Sequence, residues 1–133
     1  MALTKRVARF FQTAKVISGM STRRRFKIGA IVVYKNKLIS AGVNSDKSHP
    51  VQKSYDRWRG FRTHHSCHAE VRAILNSKMS NLAGHELFVY RQTKDGRLGN
   101  ARPCPACMKM IQDYGIKKIF YTTVNGYCQE VLL

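Results

Sequence analysis

The chain contains four side chains of the types that form a catalytic metal site. His68-Ala69-Glu70 supplies an imidazole and a carboxylate, and Cys104 and Cys107 supply two thiols three residues apart. One imidazole and two thiolates are typical zinc ligands, and a catalytic zinc keeps its fourth position for water. Zinc lowers the pKa of bound water to about 7, so hydroxide is available at neutral pH. Glu70 is two residues from the histidine, where it could carry protons to and from that water.

Hydrophobic periodicity predicts the helices and strands that position these groups. Helices are predicted at residues 3–19, 66–78 and 104–113, and strands at residues 27–34, 37–43, 85–92, 117–124 and 127–132. Ser66 is predicted to cap the second helix, which places His68 and Glu70 in its first turn. Pro105 suits the first turn of the third helix. Residues 44–66 contain Pro50, Gly60 and many polar side chains, so they are predicted to form a long loop.

The last two strands are predicted to form an antiparallel hairpin. Asn125-Gly126 separates two strand-like segments, which is a strong hairpin pattern. A parallel fifth strand would need a crossover of about a dozen residues or more, and the chain after Tyr121 is too short for it. The apolar strand 27–34 is predicted to lie centrally, covered on both faces. We therefore expect an α/β fold, a three-layer α/β/α sandwich around one mixed five-stranded sheet.

The two metal-binding segments carry a family resemblance. His68-Ala69-Glu70 followed by Pro103-Cys104-Pro105-Ala106-Cys107 resembles the signature of the zinc-dependent cytidine and deoxycytidylate deaminase superfamily. Gly42-Val43-Asn44 and Gly115-Ile116-Lys117-Lys118-Ile119 also resemble a strand end and a helix-to-strand turn of these enzymes. The predicted hairpin is similar to the small nucleoside deaminases and departs from the tRNA-adenosine, polynucleotide-cytidine and deoxycytidylate branches.

The resemblance implies a cytidine deaminase-like fold and a set of residue roles. It implies one catalytic Zn²⁺ held by His68, Cys104 and Cys107, with Glu70 as the catalytic acid and base. It further implies that the Ala69 amide positions the base and that Asn44 holds the sugar or the base. Members of this superfamily often assemble, so a homo-oligomer is also expected.

Composition narrows the class of protein. The 133 residues are expected to form one deaminase domain, residues 1–133. No apolar stretch is long enough to span a bilayer, and the N-terminus lacks the pattern of a secretory signal. A C-x-x-C pair without signs of export favours reduced thiols and a cytoplasmic protein. The 24 lysines and arginines against seven acidic residues give a formal charge of +17, which favours a polyanionic partner.

A segment ahead of His68 alternates cations with aromatic rings. Basic grooves follow phosphates and aromatic faces stack bases, so this segment is predicted to bind substrate. The residues singled out are Tyr55, Trp58, Arg59, Phe61 and Arg62. A polynucleotide that contacts roughly six to ten phosphates would use the excess charge. The sequence therefore predicts hydrolytic deamination of cytosine to uracil in single-stranded DNA or RNA.

Several alternatives stay open at this point. The substrate could instead be free deoxycytidylate or cytidine, or adenine in nucleic acid, because the metal ligands do not distinguish these rings. A zinc-stabilised nucleic-acid-binding module without turnover is the non-enzymatic alternative, with His64, His65, Cys67 or Cys128 as a fourth zinc ligand. Trp58 and Phe61 could also form a small core under the loop, and the basic surface could serve solubility.

Overall fold

The structure is a computed structural model that describes residues 3–23, 25–60 and 66–132. Within those ranges the elements follow the order α1 (Lys5–Ser18), β1 (Phe26–Tyr34), β2 (Lys37–Val43), α2 (Pro50–Arg59), α3 (Ala69–Asn76), β3 (Glu86–Thr93), α4 (Pro105–Asp113), β4 (Lys118–Thr123) and β5 (Gly126–Val131). The strands form one sheet of order β2-β1-β3-β4-β5. The predicted mixed five-stranded sheet is confirmed.

The direction of each strand follows from its connection. β1 pairs antiparallel with both β2 and β3, whereas β3 and β4 are parallel and are joined through α4. β4 and β5 are antiparallel, with Thr123 opposite Gly126 at the turn. The predicted hairpin is therefore confirmed, although its turn residues are Val124 and Asn125 and Gly126 already belongs to β5.

Helices cover both faces of the sheet, as the sandwich prediction requires. Ala30 and Val32 of β1 face a core formed with α3 and α4, while Ile31 and Val33 face a second core formed with α1. All four side chains are fully buried. Successive strand residues point to opposite faces, so an uninterrupted apolar strand needs a layer on each side. The predicted central strand is confirmed.

Residues 44–66 contain a helix, so the prediction of a long loop there was wrong. Pro50 starts α2 at a position where no amide proton is needed, and the His49 imidazole accepts a hydrogen bond from the Val51 amide at 3.1 Å. Gly60 ends the helix in the left-handed conformation, with φ of 86°. The two side chains that α2 buries, Gln52 and Asp56, are polar, which is why no apolar stripe predicted the helix.

The helix that carries Glu70 starts later than expected. α3 begins at Ala69, and His68 occupies its N-cap position with extended backbone angles. Ser66 was predicted as the cap and His68 as a residue of the first turn, and both predictions were wrong. An N-cap side chain projects from the end of the helix rather than from its side. This placement turns the imidazole toward the start of α4.

Candidate metal centre and catalytic cavity

Two helix starts bring the predicted metal ligands together. His68 caps α3, Cys104 caps α4, and Cys107 lies in the first turn of α4. Their ligand atoms all lie within 4.8 Å of one another, and among the described residues this group has three members. His68 Nδ1 is 3.1 Å from Cys107 Sγ and 3.7 Å from Cys104 Sγ. The donor set and its spacing fit a zinc ion with a vacant fourth position.

Protons are shared unevenly among these three side chains before a metal binds. A hydrogen bond from Cys107 lowers the pKa of Cys104 to about 4, whereas the hydrogen bond to Cys104, together with burial, raises the pKa of Cys107. The hydrogen bond to Cys104 raises the pKa of His68 to about 9. Zinc needs a neutral imidazole and two thiolates, so binding must displace protons from His68 and Cys107.

Glu70 lies beside this centre in the interior. It is in the first turn of α3, only 5% exposed, and it lines the same cavity as His68 and Cys104. Burial raises the pKa of the Glu70 carboxyl, and the neighbouring His68 partly offsets that rise. A carboxyl group with a raised pKa can donate a proton as well as accept one.

α2 supports the metal centre through a chain of buried polar groups. The Gln52 side chain is fully buried, and its Oε1 accepts a hydrogen bond from the His68 amide at 3.0 Å. Its Nε2 donates to Asp56 Oδ1 at 2.9 Å. Gln52 therefore fixes the backbone of a metal ligand, and Asp56 fixes Gln52. Neither residue was predicted as a site residue, because no helix was predicted in this part of the chain.

A cavity of about 250 Å³ opens beside Glu70 and the metal ligands. Its walls combine the start of β1, the end of β2, the segment before α3 and the segment between β3 and α4. The lining residues are Arg23, Phe26, Ile28, Asn44, Ser66, Cys67, His68, Glu70, Arg91, Asn100, Ala101, Arg102 and Cys104. The Glu70 carboxyl and the side chains of three arginines therefore line the same cavity.

Asn44 lines this cavity at the end of β2, where the resemblance placed it. Its Oδ1 accepts hydrogen bonds from the Ser21 hydroxyl at 2.6 Å and the Ile28 amide at 3.0 Å, and its Nδ2 donates to the Phe26 carbonyl at 3.3 Å. Asn44 thus joins two strands and a loop around the cavity. The Asn44 amide nitrogen has two protons, and the one that does not bind Phe26 can donate to a ligand without disturbing this structural role.

Three arginines reach the cavity, and two of them already have carboxylate partners. Arg23 pairs with Asp46 at 2.9 Å, and Arg102 pairs with Glu130 at 2.7 Å. The Arg91 guanidinium instead lies over the Phe26 ring, with its carbon 4.3 Å from the ring centre. Neither Phe26 nor Arg91 was predicted as a site residue. Their proximity depends on the register of β1 against β3, in which Ile28 lies opposite Arg91.

The described part of the predicted base-stacking segment does not line this cavity. The Tyr55 hydroxyl donates to Asp113 of α4 at 2.8 Å, and Trp58 lies 5.7 Å from the Lys109 ammonium. Tyr55, Trp58 and Arg59 are absent from the cavity lining, although Trp58 is 57% exposed. Phe61 and Arg62, with His64 and His65, lie outside the described residues. Ala69 is buried as the first residue of α3, directly between His68 and Glu70.

Nearly all of the negative charge in the molecule is already engaged or buried. The five ion pairs of the described residues are Arg6–Glu86, Arg23–Asp46, Arg97–Asp95, Arg102–Glu130 and Lys109–Asp113. The other two carboxylates, Asp56 and Glu70, are buried. With 24 lysines and arginines and seven acidic residues, most cations have no carboxylate to pair with. Among the described residues, every helix is too short or too polar to cross a membrane.

Comparisons with known proteins agree with this geometry. Residues 4–123 match the family model of the cytidine and deoxycytidylate deaminase zinc-binding region. An uncharacterized deaminase from the luxG 3′ region of Aliivibrio fischeri is 30% identical over 119 residues, which are 89% of this chain and 73% of that protein. The deoxycytidylate deaminase of Mus musculus is 26% identical over 111 residues, 78% of this chain and 57% of that protein. The chain thus spans little more than half of the mouse relative.

Solved structures show the same fold. The dCMP deaminase from the cyanophage S-TIM5 in its apo form superposes with a TM-score of 0.62 at 29% identity, covering 90% of this chain and 84% of that chain. The same phage protein in complex with dCMP and dUMP gives a TM-score of 0.63 at 27% identity, covering 90% and 83%. The cytidine deaminase-like fold is therefore confirmed.

Proposed function

The chain belongs to the family of zinc-dependent cytidine and deoxycytidylate deaminases, and we propose that its substrate is free deoxycytidylate (dCMP). As a member of this family it is a hydrolase that acts on the exocyclic amine of a nucleobase. The observation that carries the substrate proposal is that Glu70 and three of the described arginines line the same cavity. A mononucleotide offers one base to the carboxyl and one phosphate to the arginines.

The proposed roles follow from the position of each side chain. His68, Cys104 and Cys107 hold one zinc ion, which supplies Lewis-acid activation of the attacking water. As water adds to C4 of the cytosine ring, Glu70 takes one proton from it and delivers that proton to ring atom N3. Glu70 then takes the remaining proton of the added hydroxyl and delivers it to the exocyclic amine, the bond from C4 to the amine breaks, and the products are dUMP and ammonia. Asn44 and the Ala69 amide, at the cavity wall and the start of α3, hold the nucleoside in place.

The similarity to named relatives also favours a free nucleotide over a polymer. Both the mouse relative and the phage structure are named as deoxycytidylate or dCMP deaminases, and the phage protein was crystallised with dCMP and dUMP. The cavity volume of about 250 Å³ is below the roughly 300–1,000 Å³ of pockets for drug-sized ligands. A cavity of this size limits the occupant to about one nucleotide unit, which is either a free nucleotide or a base turned out of a strand.

Cytosine in single-stranded nucleic acid is the second candidate, and the charge of +17 favours it. The contacts predicted for Tyr55, Trp58, Arg59, Phe61 and Arg62 belong to this candidate. Of these residues, Tyr55, Trp58 and Arg59 are described by the structure, and they do not line the mononucleotide cavity. A single domain over residues 1–133, a homo-oligomer and a cytoplasmic location stay predictions of the sequence.

Ammonia release distinguishes the candidates. Zinc-loaded protein is incubated with dCMP, deoxycytidine and a cytosine-containing single-stranded oligonucleotide under the same conditions. We expect the highest kcat/KM with dCMP. Turnover of the oligonucleotide with none of dCMP would contradict the proposal and establish the second candidate.

A pair of glutamate variants tests the role of the carboxyl. Glu70→Gln should retain zinc and lose ammonia release, because the amide cannot carry the proton. Glu86→Gln is the matched control, since Glu86 pairs with Arg6 outside the cavity lining. Zinc retention without ammonia release from any cytosine or adenine substrate by the parent protein would instead indicate a binding module.

A further inference from the structure

Arg91 is held in a confined position at the cavity. Its guanidinium carbon lies 4.3 Å from the centre of the Phe26 ring, and its Nη1 donates to the Asn100 carbonyl at 3.1 Å. The aliphatic stem of the Arg91 side chain passes Gly99, and a Cβ atom at Gly99 would lie only 2.9 Å from Arg91 Cγ and Cδ. The absence of a side chain at Gly99 therefore leaves the space that the Arg91 stem occupies.

The Arg91 side chain also contains a buried hydrogen-bond donor without an acceptor among the described residues. Its Nε is buried and has no hydrogen-bond partner among the described residues. A buried donor without an acceptor is destabilising, and native proteins rarely retain one without a reason. Because Arg91 lines the cavity beside Glu70, an acceptor on a bound ligand can meet this requirement.

Charge separates Arg91 from the other two arginines of the cavity. Arg23 is neutralised by Asp46, and Arg102 by Glu130. No ion pair of the described residues includes Arg91. A guanidinium that lacks a counter-charge and presents several N–H groups in one plane matches the oxygens of a phosphate. A neutral base carbonyl would satisfy one donor but leave the charge uncompensated.

We infer that Arg91, seated between Phe26 and Gly99, is the specificity-determining residue that binds the 5′-phosphate of the nucleotide. This inference rests on the proposed function, because it assumes that a mononucleotide occupies the cavity. Phe26 restrains the guanidinium by a cation–π contact, and Asn100 fixes its rotation. Arg23 and Arg102 shape the rim, whereas Arg91 supplies the charge that distinguishes dCMP from deoxycytidine.

Equilibrium binding tests the inference without requiring turnover. The affinities of dUMP and deoxyuridine for the zinc-loaded protein are measured by calorimetry, since these two ligands differ only in the phosphate. Arg91→Met keeps most of the stem and removes the charge. We expect it to reduce the affinity for dUMP by about 10- to 150-fold, the range for hydrogen bonds to a charged group. The ratio of dUMP to deoxyuridine affinity should fall by the same factor.

Three further variants separate recognition from packing. Arg91→Lys should restore part of the dUMP preference, because it keeps the charge without the planar fork. Gly99→Ala should reduce the preference although Arg91 itself is intact, because the new Cβ displaces its stem. Arg97→Met is the matched control, because Arg97 is exposed, pairs with Asp95 and lies outside the cavity lining. We expect it to reduce dUMP affinity by less than about threefold, since exposed ion-paired groups contribute little. Melting temperatures verify that each variant is folded.

Two results would overturn the inference. One is a parent protein that binds dUMP no more tightly than deoxyuridine. The other is an Arg91→Met variant whose preference for dUMP equals that of the parent or of Arg97→Met. The proposed function fails separately, when dCMP releases no ammonia. A dUMP preference that depends on Arg91, found without dCMP turnover, would refute the substrate and support the phosphate contact.

Discussion

Replacing Gln52 with methionine tests how α2 supports the metal centre. Methionine is unbranched and similar in length, so the fully buried position remains filled. Two hydrogen bonds are lost, the one from the His68 amide at 3.0 Å and the one to Asp56 at 2.9 Å. The His68 amide and the Asp56 carboxylate are then left without these partners in the interior.

The expected size of the effect follows from these two groups. Each buried polar group that loses its partner costs about 1–3 kcal/mol, and a charged group costs more. We therefore expect Gln52→Met to lower the free energy of unfolding by about 2–6 kcal/mol. Zinc affinity should also fall by about tenfold, the lower end of the effect of outer-shell partners, because Gln52 holds the backbone of His68 rather than its ring.

Urea unfolding of chelator-stripped protein measures the first quantity, because removing zinc keeps metal binding out of the unfolding equilibrium. Competition with a chelating dye measures the second. Gln112→Met is the matched control, since Gln112 is an exposed residue of another helix, α4. A loss below about 1 kcal/mol for Gln52→Met would refute the argument, as would an equal loss for both variants.

Three other perturbations have defined outcomes. Removing zinc with a chelator should lower the urea midpoint, since a ligand at 100 times its Kd stabilises by about 2.7 kcal/mol; an unchanged midpoint would contradict a bound metal. Gly29→Ala should destabilise the protein by about 1–3 kcal/mol, because the new Cβ would lie 2.4 Å from the Ser18 amide nitrogen. Gly19→Ala is its control and should change the melting temperature less, because its Cβ would lie 3.3 Å from the nearest atom, the Val16 carbonyl oxygen. The hydrogen bond from Arg102 lowers the pKa of Glu130 below its usual value of 4.5, so this pair stabilises the fold above pH 4.5 and the contribution disappears as the pH falls through the lower folded pKa. The difference in unfolding free energy between the parent and Glu130→Gln should therefore shrink over that acidic range. A difference that grows there would contradict the assignment.

The structure brings His68, Cys104 and Cys107 together as the sequence predicted, and residue type together with the short spacing of the two cysteines made this group predictable. His68, Cys104 and Cys107 are marked by residue type, and the short spacing of the cysteines places them at one helix start. The hairpin was also predictable, because Asn125-Gly126 between two strand-like segments is a local turn pattern. Residues close in sequence are positioned by short-range geometry, which can be inferred without knowing the sheet order.

Other parts of the site depend on contacts between distant segments. Phe26 meets Arg91 only through the register of β1 against β3, which composition does not reveal. α2 was missed because its buried side chains, Gln52 and Asp56, satisfy one another by hydrogen bonding rather than by apolar packing. Alternating aromatic and basic residues predicted a base-stacking groove, yet Trp58 lies near Lys109 of α4. Periodicity reports burial of apolar groups and says little about polar interiors.

The scarcity of free carboxylates on this protein has consequences before any ligand makes contact. An electropositive field enriches anions near the surface and can speed their capture by roughly 10- to 1,000-fold at low salt. That enrichment weakens as the Debye length shrinks from about 10 Å at 0.1 M to about 3 Å at 1 M ionic strength. The field does not distinguish one phosphate ester from another, so a reaction product or a stray polyanion is concentrated along with the substrate. The same excess of positive charge thus speeds the encounter with the substrate and increases competition from other anions.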